Sequence, residues 1–169
     1  MLTLDLVRLH RERSLPVDGS VPADAGLWAG SEIPLIRPVE VRGTASLTGE
    51  GGVVVRGKWE TEVEYECGRC LDPVRRRIHE DLTLVYMPSE GWESADPEVW
   101  TIDYNARTLD LTEALREEVL LELPRYFLPP AKDDGRCSVC ERPISEFEKT
   151  PEREVSDPRW SKLKALKSE

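Results

Sequence analysis

From Val39 onward the chain alternates. Val39, Val41, Gly43, Ala45 and Leu47 fall on one phase, and Glu40, Arg42, Thr44, Ser46 and Thr48 on the other. A period of two places successive side chains on opposite faces of a strand, so this run predicts a half-buried strand. The glycine-rich "TGEGG" (Thr48 to Gly52) predicts a tight turn. Val53, Val55, Trp59, Val63 and Tyr65 then hold one phase, while Lys58, Glu60, Glu62, Glu64 and Glu66 hold the other. Beyond Asp72-Pro73, Val74, Ile78, Leu82, Leu84 and Tyr86 continue the alternation, interrupted by Arg76 and Glu80. One dry face and one wet face is the pattern of an antiparallel sheet.

Upstream, Leu2, Leu4 and Leu6 alternate with Thr3, Asp5 and Val7 and predict a strand. Ser14 to Pro38 contains Pro16, Pro22, Pro34 and Pro38 and reads as a long connection, with Leu27, Trp28, Ile33 and Leu35 docking on a sheet. Downstream, Pro88 to Pro97 is acidic and reads as a solvated loop. Asp110 as an N-cap, with Glu113 three residues on, predicts a helix start. Leu111, Leu115, Val119 and Leu123 recur at helical spacing until Pro124 stops the helix. Asp157-Pro158 predicts a short last helix, with Trp160, Leu163 and Leu166 along one side. The expected fold is α+β: an antiparallel β-sheet or partly closed barrel with C-terminal helices. It is organised as one domain over 1–169. The segments are an N-terminal strand and proline-rich arm (1–38), a β core (39–87), an acidic loop and helix (88–128), and a tail (129–169).

Charge narrows the partners. The net charge is −10, which opposes nucleic-acid phosphate unless a local basic patch makes the contact. A basic protein partner is at least as compatible. No apolar run reaches the ~20 residues of a membrane span. Asp5, Arg8 and Arg11 break the N-terminal leucines, so no signal peptide is expected. A cytoplasmic protein is the expectation.

The chemistry lies in four cysteines, arranged as two CxxC pairs: Cys67 with Cys70, and Cys137 with Cys140. A redox couple needs its first cysteine at a helix N-terminus, where the dipole and free amides favour thiolate. Here Cys67 ends a strand-like run and another strand follows. That reading also leaves the second pair without a role. One tetrahedral zinc ion explains both pairs, since two residues between thiolates let each pair bite a single ion. The 66 residues between Cys70 and Cys137 exceed a compact ribbon's ~15–20, so the ion would clip the tail to the sheet. A closed shell of four thiolates leaves no position for water and implies a structural Zn2+. Arg69, Arg75, Arg76, Arg77, Arg136 and Arg142 lie close in sequence to these cysteines.

Other catalytic constellations do not emerge. His10 and His79 have no nucleophile motif beside them, and the Gly-rich turn lacks the lysine and helix of a phosphate loop. With 33 acidic residues, carboxylate pairs carry no information. A non-enzymatic protein with no small-molecule substrate is expected, a thiol-disulfide oxidoreductase using "CGRC" being the enzymatic alternative.

Four segments, in order, resemble a known family. "ECGRCLDPV" (Glu66 to Val74) is similar to the C-x-R-C-L-x-P signature of the YceD-like family of large ribosomal RNA subunit accumulation proteins. "LDLTEALREEVLLELP" (Leu109 to Pro124), "GRCSVCERPI" (Gly135 to Ile144) and "DPRWSKLKAL" (Asp157 to Leu166) resemble its later segments. Ser138 and Glu141 stand where that family usually carries proline and glycine. The resemblance implies a ribosome-biogenesis factor that binds large-subunit ribosomal RNA precursor or a basic large-subunit ribosomal protein. Within it, Cys67, Cys70, Cys137 and Cys140 form two knuckles. Arg69, Arg75, Arg76 and Arg77 are the candidate RNA-facing patch. The acidic strand face from Glu60 to Glu66 and the loop from Pro88 to Pro97 are a candidate seat for a basic ribosomal protein, in the manner of a chaperone.

Overall fold

The alternating runs become three long strands. The computed structural model describes residues 2–31, 33–89, 99–103 and 105–147. They fall into two compact units, Met1–Leu128 and Pro129–Glu169.

In the first unit, β1 (Thr3–Asp5) leads into α1 (Leu6–Glu12), and β2 spans Ser14–Val21. The long strands are β3 (Val39–Leu47), β4 (Val53–Glu66) and β5 (Pro73–Pro88). After them come β6 (Val99–Ile102), β7 (Thr108–Asp110) and α2 (Thr112–Glu122). Five strands make one sheet in the order β2-β3-β4-β5-β6, while β1 and β7 pair separately. The expected antiparallel sheet is mixed, because β6 runs parallel to β5. Four β-prone residues announce a strand but not its direction, which the path of the chain decides.

The apolar phase forms the core. Val39, Val41, Val55, Trp59, Val63, Leu82 and Leu84 are almost completely buried. Gly43 and Gly57 stand directly opposite each other in the β3–β4 register. A Cβ on Gly57 would lie 2.3 Å from the Arg42 carbonyl oxygen, so the two backbones meet where neither residue can carry a side chain. At the turn, the Thr48 amide donates to the Gly52 carbonyl at 2.8 Å, and Gly51 takes φ +78°.

Two N-terminal expectations need correction. The leucine alternation yields a strand of only three residues. Asp5 then caps α1, accepting the Arg8 amide at 2.9 Å, and Leu6 and Leu9 are the buried face. The aspartate that breaks the apolar run in sequence is the helix start. Ser14–Val21, expected as part of a connection, is a strand with Leu15, Val17 and Val21 buried. Pro16 is accommodated because β2 lies at the sheet edge. The rest of that connection is fastened down: Trp28 is buried, its Nε1 donates to the Pro22 carbonyl at 2.9 Å, and Arg116 Nε on α2 donates to the Leu27 carbonyl at 2.8 Å.

In α2, Leu111, Leu115, Val119 and Leu123 are buried as the spacing predicts. The first turn differs. Asp110 precedes the cap position, held by Leu111, and its carboxylate accepts the backbone amide of Thr112 at 2.9 Å. Leu123, ahead of Pro124, has turned to extended backbone.

The described part of the second unit, 129–147, holds two isolated bridges, Ala131 with Cys137 and Arg136 with Pro143, and a 3-10 turn at Ile144–Glu146. The expected helix after Asp157 and most of the acidic loop (90–97) lie outside the described residues. Among the described residues no helix is long and apolar enough to cross a membrane.

Candidate metal centre

The first cysteine pair sits at the closed end of the β4–β5 hairpin, just past the final pair, Glu66 with Pro73. Cys67 continues the buried phase of Trp59, Val63 and Tyr65, so its side chain is fully buried. Past Cys67 the chain reverses tightly. The Leu71 amide donates to the Cys67 carbonyl at 2.9 Å, and the Cys67 amide donates to the Asp72 carbonyl at 2.9 Å. Leu71 takes φ +62° to make this possible. Phe127 braces the turn: its carbonyl accepts the Gly68 amide at 2.9 Å, and its ring stands 6.1 Å from that of Tyr65.

The second pair repeats the two hydrogen bonds that close the first turn. The Glu141 amide donates to the Cys137 carbonyl at 3.0 Å, and the Cys137 amide donates to the Arg142 carbonyl at 2.9 Å. Glu141 takes φ +61°, and Cys137, like Cys67, is fully buried. A turn through Gly135 (φ +73°) precedes it. The backbone oxygen of Glu141 accepts Arg136 Nη1 at 3.0 Å, and its carboxylate accepts Lys132 Nζ at 2.5 Å. That lysine holds the Glu141 carboxyl below its ordinary range, first by the hydrogen bond and then by charge.

Left-handed backbone is unfavourable for any side chain but glycine's. Both turns adopt it at the residue after the second cysteine, and neither uses glycine there. Glu141, which replaces the glycine usual in the resembled family, takes the same geometry as its counterpart Leu71. Sequence reasoning assigned no conformation to Leu71 and gave Phe127 no role. No periodicity marks either residue.

None of the four cysteines forms a disulfide. A tetrahedral zinc with Zn–S bonds of about 2.3 Å places its sulfurs about 3.8 Å apart. Each turn, taken by itself, presents two thiols at a spacing that suits one such ion. The redox geometry is missing at the first pair: Cys67 opens a hairpin turn rather than a helix, so no helix dipole aids its thiolate.

The arginines of the expected patch do not share a face. Arg75 Nε meets Glu64 at 2.9 Å and Arg77 Nε meets Glu60 at 3.7 Å. Arg76, pointing the other way from the strand, lies 4.9 Å over the Phe127 ring. Arg69 is half-buried in the first turn. Near the second pair, Arg136 also meets Asp134 at 3.4 Å, and Arg142 lies 4.8 Å over the Phe147 ring.

The family profile described as "Large ribosomal RNA subunit accumulation protein YceD" matches residues 55–167, from within β4 past both cysteine turns. The chain belongs to the YceD family. Among curated proteins, the Large ribosomal RNA subunit accumulation protein YceD of Haemophilus influenzae is 33% identical over 91 residues, covering 52% of this chain and 49% of the relative. Uncharacterized proteins of Mycobacterium tuberculosis and Mycobacterium bovis are 36% identical over 115 residues, covering 66% of this chain and 54% of each relative. The chain spans about half the length of the curated relatives it matches. No solved structure matches it.

Proposed function

We propose that this YceD-family chain is a cytoplasmic, non-enzymatic factor that supports accumulation of large-subunit ribosomal RNA. In this reading Cys67, Cys70, Cys137 and Cys140 hold one Zn2+. The observation that carries it is the family match, which spans both cysteine turns. Four thiolates close the tetrahedral shell, so the ion would supply folding free energy and leave no position for a reacting water.

A basic large-subunit ribosomal protein is the partner favoured by charge. The chain carries −10, and Arg75 and Arg77 already face Glu64 and Glu60. The RNA-contact reading rests on Arg69, Arg75, Arg76 and Arg77. It predicts that neutralising Arg75, Arg76 and Arg77 together weakens binding to protein-free ribosomal RNA and flattens its salt dependence.

Depletion in the host cell tests the function. The ratio of large- to small-subunit ribosomal RNA should fall and be restored by the wild-type chain. An unchanged ratio on depletion contradicts the proposal.

A further inference from the structure

The two cysteine turns are held by different means. The first closes the β4–β5 ladder, which is paired as far as Glu66 with Pro73, so the strands on either side fix the left-handed backbone of Leu71. The second turn lacks that support. Among the described residues of its unit there is neither strand nor α-helix, and only Pro129 and Cys137 are buried. Glu141 nevertheless takes φ +61°, a conformation unfavourable to a residue with a side chain. That side chain is exposed, so no packing offsets the strain.

What gathers at Glu141 instead is polar. Its carboxylate accepts Lys132 Nζ, and its carbonyl accepts Arg136 Nη1 at 3.0 Å. Both cations are aimed by the turn that precedes Cys137. The Lys132 amide donates to the Arg136 carbonyl, and the Lys132 carbonyl accepts the Gly135 amide, each at 2.9 Å. Asp134 steadies Arg136, accepting its amide at 3.1 Å and meeting its Nε at 3.4 Å. Two upstream side chains thus converge on the one residue of the second cysteine turn whose backbone is strained.

We infer that Lys132 and Arg136 are positioning residues for the second cysteine pair, clasping Glu141 by side chain and main chain so that Cys137 and Cys140 are set for a metal ion. The clasp supplies no ligand. It holds a left-handed turn that glycine would adopt unaided, and its worth therefore depends on the residue at position 141. The Lys132–Glu141 pair is exposed, so its contribution is modest and fades with salt. The inference rests on the reading that the cysteines hold Zn2+ and deepens it by naming what tightens the grip on the ion.

The test titrates the full chain, loaded with Zn2+, with a chromophoric chelator at low ionic strength. Lys132→Met should release zinc about two- to fivefold more readily, and Lys132→Arg should match the wild type. Lys58→Met, which breaks an exposed ion pair with Asp81 in the sheet, should change nothing. Glu141→Val loses the clasp and tolerates the left-handed region poorly, so it should release zinc about tenfold or more readily. Glu141→Gly should hold the ion as tightly as the wild type or more so, and in that background Lys132→Met should have no further effect. Co2+ at saturation should give one thiolate-to-metal charge-transfer spectrum in every variant, since the donor atoms are unchanged. Equal release by the wild type and Lys132→Met overturns the inference. So does a Glu141→Gly variant as weak as Glu141→Val, an undiminished Lys132→Met effect in the glycine background, or a changed Co2+ spectrum. Each of these leaves the zinc reading in place. A wild-type chain that takes up no zinc overturns both.

Discussion

Gly57→Ala probes the closest backbone contact in the sheet. The new Cβ would stand 2.3 Å from the Arg42 carbonyl oxygen and 2.5 Å from the Gly43 Cα, where ordinary contact begins at 3.4 Å. The overlap of about an ångström is with main chain, so no rotamer change relieves it and a strand must move. Overpacking of this kind costs roughly 1–3 kcal/mol, and contact with backbone places this case near the upper end. Replacing glycine also restricts the unfolded chain, which offsets about 0.4–1 kcal/mol. The net expectation is a destabilisation of about 2 kcal/mol. For a chain of this size that lowers the Tm by roughly 4–8 °C. Urea and thermal unfolding followed by tryptophan fluorescence read it. Gly26→Ala is the control, since no atom lies within 4 Å of its added Cβ, and its midpoint should hold or rise slightly. Combining Gly43→Ala with Gly57→Ala should cost less than the sum, because strands already forced apart accommodate the second methyl. An unchanged midpoint for Gly57→Ala would refute the reasoning.

Arg76→Ala should lower stability by about 0.5–1 kcal/mol through loss of the Phe127 stack, with little dependence on salt. Arg75→Ala should change stability less, and only at low ionic strength, because its ion pair is exposed; equal effects of the two in urea melts would refute the assignment. Burial pushes the Tyr86 phenol well above its ordinary value, and the negative charge of Asp110 adds to this. With the folded value raised, the contribution of the neutral phenol is complete below about pH 10 and is lost as pH rises toward the folded value. Tyr86→Phe should flatten that alkaline decline and be as stable as wild type or about 1 kcal/mol more so, since the buried hydroxyl has no partner. A decline that persists unchanged in the variant would contradict this.

The parts legible in sequence are those where one period governs a long run. The alternation through Val39–Leu47, Val53–Glu66 and Pro73–Pro88 locates the three central strands, and Leu111, Leu115 and Val119 mark the buried face of α2. Short elements escape because tertiary context decides them. β1 holds three residues before Asp5 starts a helix, and β2 tolerates Pro16 because it is an edge. The direction of β6 is not written in its four residues. In the site, CxxC spacing identifies the cysteines, but the shared hydrogen-bond pattern of the two turns depends on positive φ at Leu71 and Glu141, and neither residue type announces it. The arginine triplet looks like one patch in sequence. In the strand, alternation sends Arg75 and Arg77 to one face and Arg76 to the other.

The proposed Zn2+ at Cys67, Cys70, Cys137 and Cys140 requires thiolates from both turns. Native mass spectrometry of protein purified under reducing conditions tests it most directly. One zinc per chain is expected, lost equally in Cys67→Ser/Cys70→Ser and in Cys137→Ser/Cys140→Ser. A metal-free wild type, or a full zinc complement after either pair is replaced, would contradict it.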